Sequence, residues 1–191
     1  MASVQHLPAE VLYAIAKQIG TRLSERAERA FASGEALEIG ESFPIWMVGL
    51  SSLTEESLEE AAVHTGYWHH QIRHGQRVVE FAKSRPLGPH ATDWHLEELV
   101  ESPIVARIDD AVEWVDDSVR EDEPVRLLVI PAYFVHAFWI GQAPDSRLLL
   151  IDLPKSLHGL EYHRLYFWTE FRNTLLQQPH VVGIPPQEPA R

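Results

Sequence analysis

Apolar positions recur along this chain in two rhythms, one helical and one of short strand-like runs, and each predicts its own set of elements. From Pro8 to Ser33, the residues Leu12, Ile15, Ala16, Ile19, Leu23, Ala27 and Phe31 recur at helical spacing, with mixed charge between them. This predicts an amphipathic helix with one buried stripe and Gly34 as its stop. A second stripe, Val105, Ile108, Val112, Val115 and Val119, follows Ser102-Pro103. Ser102 is placed to cap that helix and Pro103 to open it, where a missing N–H is harmless. Tyr162 to Gln178 predicts a third, aromatic-rich helix carrying Leu165, Trp168, Phe171 and Leu175. A shorter one is expected to start at Thr54, with Glu55 and Glu56 in its first turn, and to end by Gly66.

Shorter apolar runs predict strands at Ile45–Leu50, Val125–Ile130, Tyr133–Ile140 and Arg147–Leu153. Pro131 forces a bend between the second and third, and the loop from Gly141 to Asp145 makes an antiparallel hairpin of the last two. These strands are apolar on both faces, so they belong at the centre of a sheet covered on each side by helices or by a partner. A further hairpin is expected between Gly66 and Ser84, turning at His74-Gly75. Its register would pair Trp68 with Phe81, His70 with Val79 and Ile72 with Arg77 on one face, and Tyr67 with Ala82, His69 with Glu80 and Gln71 with Val78 on the other. A helix through the same segment would place Gly75 in its interior at a cost of about 1 kcal/mol and would leave no clean stripe.

The expected fold is therefore α+β. It has a mostly antiparallel sheet of about five to six strands with hairpins at 67–83 and 132–153, packed with an N-terminal helix, an acidic middle helix and a C-terminal helix. Residues 1–178 read as a single domain and 179–191 as a Pro-rich tail. A length of 191 residues suits one such domain.

Composition narrows the chemistry. The absence of cysteine excludes disulfides, thiolate metal sites and thiol nucleophiles. The N-terminus lacks the basic start and apolar run of a secretory signal, and no apolar segment reaches transmembrane length, so a cytoplasmic protein is expected. The formal net charge is −12, and between Glu97 and Glu123 eleven acidic residues face only Arg107 and Arg120. Such a surface repels nucleic acid and anionic membranes, so neither is expected as a partner.

Two constellations could bear chemistry. His69, His70 and His74 lie in the expected hairpin; on a helix His70 and His74 would share a face at a spacing that can hold zinc, but on a hairpin His69 and His70 point to opposite faces and His74 sits in the turn. No metal and no cofactor are expected. His136 and Asp152 lie diagonal to each other on one face by the simplest register of the second hairpin, the minimal general-base pair, but no nucleophile accompanies them. Phosphate-loop, dinucleotide-glycine, nucleophile-elbow and zincin patterns do not occur. An interaction role fits the surface more simply. Trp114 stands about 120° from the centre of its helix's stripe, amid Asp110, Glu113 and Asp117, and the tail brings Val181, Val182 and Ile184 before Pro185-Pro186. The sequence thus favours a non-enzymatic assembly or interaction component that binds another protein or itself, with a small hydrolase or metal-dependent enzyme as the alternative.

Overall fold

The computed structural model describes residues 3–4, 7–22, 37–75, 77–120 and 122–178. One mixed, mostly antiparallel sheet of nine strands organises all of them. The strands are β1 (Ser3–Val4), β2 (Leu37–Val48), β3 (Ala62–His74), β4 (Arg77–Pro86), β5 (Trp94–Val100), β6 (Pro124–Ile130), β7 (Val135–Ile140), β8 (Arg147–Asp152) and β9 (Leu165–Phe167). Across the sheet they run β5-β4-β3-β2-β6-β7-β8-β9, with β1 on the start of β6. Only the pairings of β6 with β1 and β2 are parallel. The helices are α1 (Ala9–Ile19), α2 (Leu58–Ala61), α3 (Ile104–Ser118) and α4 (Trp168–Leu176).

The apolar stripes decide which face each helix covers. Val11, Ile15 and Ile19 of α1 pack on Ile72, Val79, Ala82 and Leu96. On the same face, α2 and α4 close over Leu128, Ile130, Trp139, Leu148 and Leu150. Among the described residues the opposite face has α3 alone, whose Val105, Ile108, Val112 and Val115, with Val119 just past its end, are buried as the pattern anticipated. They meet Phe43, Leu127, Phe138, Leu149 and Ile151. The sheet is wider than expected because Leu37–Phe43, β5 and β9 are added to the strands read from the sequence.

Several boundaries need correction. The first helix ends at Ile19 with a turn to Arg22, and the expected continuation through Leu23, Ala27 and Phe31 lies outside the described residues. Thr54 caps no helix; Leu50–Thr54 is a 3-10 turn, Ser57 Oγ accepts the Glu60 N–H of a single helical turn, and strand begins at Ala62. The chain from Ala62 to Gly66 is strand because Ala62, Val63 and His64 pair with Val48, Met47 and Trp46 of β2, a tertiary demand that outweighs local helix signals. The C-terminal helix begins at Trp168, since Leu165–Phe167 pair with β8 as β9.

The hairpin forms, but in another register. His74 pairs with Arg77, so the turn is centred on residues 75–76, with Gly75 at φ 57. A bulge at Val79 then sets Ile72 against Glu80, His70 against Ala82, His69 against Lys83 and Trp68 against Ser84. The expected His69–Glu80 and Trp68–Phe81 pairs are therefore not made, and Phe81 moves to the face of His69, where the two rings stack at 4.5 Å. Both faces of this hairpin are sheltered by other elements, so polarity alternation gave no cue against the slip.

Two polar devices hold this half of the sheet. Gln18 of α1 donates to Trp94 O at 2.8 Å and accepts from Leu96 N at 3.0 Å, covering part of the edge strand β5. His70, fully buried, is bonded at Nδ1 to Ser42 Oγ (2.8 Å) and at Nε2 to Ser84 Oγ (2.7 Å), linking β2, β3 and β4 through one imidazole. Replacing Ser84 by Ala would leave one imidazole nitrogen buried without a partner, a penalty of about 1–3 kcal/mol. We expect urea denaturation of Ser84→Ala to show a loss in that range; a change under about 0.5 kcal/mol would mean that the Ser–His–Ser link does not stabilise the sheet.

Candidate functional site

Side chains on the face under α3 line a cavity of about 760 Å³ that is open to solvent on one side. It exists because the helix crosses a sheet that is wider than it is. Its walls are contributed by β2 through Ile45 and Met47, by β6 through Leu127 and Val129, and by α3 through Ile104 and Ile108. Phe81 and Val100 close the β4–β5 end. Its size falls within the range that accommodates small molecules, about 300–1,000 Å³. At the rim, Met47 and Val63 oppose each other across β2 and β3 and remain 41% and 63% exposed.

The polar residues of the cavity lie at its two ends. On one rung of the ladder, Phe43, His69, Lys83 and Glu98 follow one another across β2, β3, β4 and β5, and the last three line the cavity. His69 is 2% exposed and its Nε2 has no hydrogen-bond partner. Burial holds its pKa down to about 3, and the neighbouring His70 and His136 act in the same direction. Lys83 places its ammonium 4.3 Å from the centre of the Tyr67 ring and forms no ion pair among the described residues. Thr65, also in the wall, spends its hydroxyl on Ile45 O (2.8 Å) and on the Tyr67 N–H.

At the other end stand His136 and Asp152, directly opposed across β7 and β8 rather than diagonal, because a bulge adds one residue to β8 there. His136 is half-buried with Nδ1 lacking a partner. Burial lowers its pKa and Asp152 pulls it back up, so the imidazole is poised neutral beside an anion. Asp152 is itself ion-paired with Arg107 of α3, whose guanidinium also lies over the Tyr162 ring at 5.6 Å.

The structure thus separates the three hairpin histidines. His70 is bonded on the far face, His69 lines the cavity, and the side chain of His74 lies outside the described residues. Among the described residues, no three histidine, aspartate or glutamate side chains group to hold a metal. Asp110, Glu113 and Asp117 are exposed on α3, while Trp114 is half-buried against the core cluster beneath that helix. Val181, Val182 and Ile184 lie outside the described residues. Lys83, Tyr67 and Glu98 were not singled out from the sequence, and no motif could have found them, since only the register of four strands makes them neighbours. No helix among the described residues is long and apolar enough to cross a membrane. No protein-family model matches this chain, and no curated protein matches it either.

The buried histidines tie stability to acid. His69 and His70 have folded-state pKa values near 3 and 4, below the ordinary value of 6.5, so the unfolded chain binds protons that the native state refuses. Their contribution is complete above about pH 6.5 and falls as pH drops toward 4, by about 1.4 kcal/mol per pH unit for each histidine. Urea midpoints measured from pH 7 to pH 4.5 should fall steeply in the native protein and less steeply in His69→Gln; parallel curves would show that His69 is not held neutral by burial.

Proposed function

We propose that this protein binds a small, largely apolar molecule in the cavity between α3 and the sheet. The observation that supports the reading best is the unpartnered, buried His69 in an apolar-walled space of ligand size. An unsatisfied buried nitrogen costs about 1–3 kcal/mol, and a bound hydroxyl, carbonyl or carboxylate would remove that cost. The apolar rim at Met47 and Val63 gives such a molecule a way in. His136 and Asp152 in the same cavity keep the enzymatic alternative alive as acid–base chemistry on the bound molecule. The hydroxyls nearby are engaged: Thr65 in the wall as above, and Ser102 by the Ile104 N–H at 3.4 Å. Binding is therefore the better-supported role, and a nucleophilic hydrolase the weaker one.

A neutral hydrophobic dye such as Nile red should bind with one-to-one stoichiometry and micromolar affinity. Val129→Trp, which fills the cavity from β6, should weaken it at least tenfold while shifting the thermal midpoint by no more than a few degrees. Equal dye binding by the filled variant would remove this reading.

Protein interaction is the second reading, and one observation favours it. Asp116 and Asp117 occupy the last turn of α3, where the helix dipole disfavours carboxylates and no basic residue offsets them. Helix stability is not served by that placement, whereas an acidic surface for a basic partner, or for a second copy, would be. Trp114, with Asp110, Glu113 and Asp117 around it, is the anchor in this reading, together with Val181, Val182 and Ile184 of the tail. Light scattering after size exclusion should show Trp114→Ala combined with removal of residues 181–191 losing any self-association or complex; an unchanged complex would count against the interaction.

A further inference from the structure

Resting on the binding reading above, we infer that the molecule taken is an amphipathic anion, a carboxylate on an extended alkyl or aryl-alkyl body, with its carboxylate on the His69–Lys83 rung. Lys83 is the one lysine or arginine among the residues lining the cavity. Its ammonium makes a cation–π contact with Tyr67 but has no carboxylate partner among the described residues, although Glu98 stands directly across the ladder. A ligand carboxylate is what Lys83 lacks. His69, the cross-strand neighbour of Lys83, brings an imidazole whose Nε2 is buried and unbonded. As the Nε2–H tautomer it would donate to the same carboxylate without being charged.

The helix contributes a third element at this end. Val100 closes β5 opposite Phe81, one step along from the Lys83–Glu98 pair, and the chain then passes through Ser102 into the first turn of α3. Ser102 and Ile104 both line the cavity, so the positive end of a 15-residue helix lies on the side where Lys83 stands. The opposite end offers no comparable cation, since Arg107 is already joined to Asp152. An anionic head at β3–β4 leaves the body to run across Ile45, Leu127 and Val129 beneath α3, toward His136. That direction crosses strands β2, β6 and β7, which at about 4.8 Å per strand calls for a chain of roughly 10–15 Å.

Displacement of Nile red from the full-length protein by dodecanoate, dodecanol and dodecyltrimethylammonium, each below its micelle concentration, tests the inference. Dodecanoate should compete at least tenfold better than dodecanol. In Lys83→Met that advantage should vanish with dodecanol binding unchanged, and Lys83→Arg should keep most of it. Equal competition by acid and alcohol, or an advantage that survives in Lys83→Met, overturns the headgroup assignment while leaving the cavity reading intact. Tighter binding of the ammonium overturns it too and makes Glu98 the determinant. Failure of the dye itself to bind overturns the binding reading and this inference with it.

Discussion

Among the described residues one helix shelters an apolar sheet face much wider than itself, and much of their arrangement follows from that mismatch. Eight strands side by side at about 4.8 Å extend over more than 30 Å, whereas a 15-residue helix is about 22 Å long and about 10 Å across with its side chains. The other face has no such shortage, because α1 and α4 divide it between them with α2 filling in. Beneath α3, the helix packs closely where Val112 and Val115 meet Phe138 and Leu149, and stands over open space where Ile104 and Ile108 face Ile45 and Val129.

The two adjacent histidines of β3 show how the faces differ. His70 is buried on the face that α1 covers, and its two nitrogens are matched by Ser42 and Ser84 on the flanking strands. His69, one residue earlier, points the other way and is buried against Phe43 and Phe81, with Nε2 unmatched. Identical side chains in one strand thus serve a closed structural link on one face and an open valence on the other. Asp109 fixes α3 above them, accepting from Gln71 at 3.4 Å and from Arg73 at 3.2 Å. Gly40 makes that possible, since a Cβ there would come within 2.9 Å of the Arg73 guanidinium nitrogen Nε. Tethering the helix through polar contacts at Asp109, and through Arg107 to Asp152, positions it without requiring apolar contact along its whole length.

Much of this architecture was legible in the pattern of the chain. The valine stripe of α3 and Ile15 and Ile19 of α1 are set by period, and β6, β7 and β8 by their apolar runs; in α1 the stripe is shifted, since Val11 is buried, Leu12 is only partly so and Ala16 is exposed. What period could not reveal was pairing. The bulge at Val79 changes the face of Phe81 relative to His69, and the bulge near β8 turns a diagonal His136–Asp152 relation into a direct one. Both are single-residue insertions with no sequence signature, in strands covered on both sides. Leu37–Phe43 and β5 escaped because Gly40, Glu41, Glu97 and Glu98 interrupt their apolar runs, and β9 because Leu165, Tyr166 and Phe167 continue the apolar pattern of the helix that follows; only neighbouring strands supply the hydrogen bonds that hold them extended. His136 with Asp152 was visible as a pair; that they share a cavity with His69 and Lys83 depended on the order of strands β4-β3-β2-β6-β7.

A chain with a net charge of −12 is an unexpected receptor for an anion, and the distribution of that charge resolves the conflict. The acidic residues Asp110, Glu113, Asp116 and Asp117 project from the exposed side of α3, away from the sheet. Between exposed charges, physiological salt screens interactions beyond about 8 Å. Along the cavity one wall is the apolar surface of Ile45, Leu127, Val129 and Ile108, so the few charges beside it act at a lower effective dielectric than charges on the outer face of α3. Of those, Asp152 is balanced by Arg107, which leaves Lys83 and Glu98 to decide the sign. Lys83 holds its ammonium over the Tyr67 ring, and among the described residues no ion pair joins it to Glu98 across the ladder. The outer acidity then governs how charged molecules approach the protein, and the inner rung governs what the cavity retains.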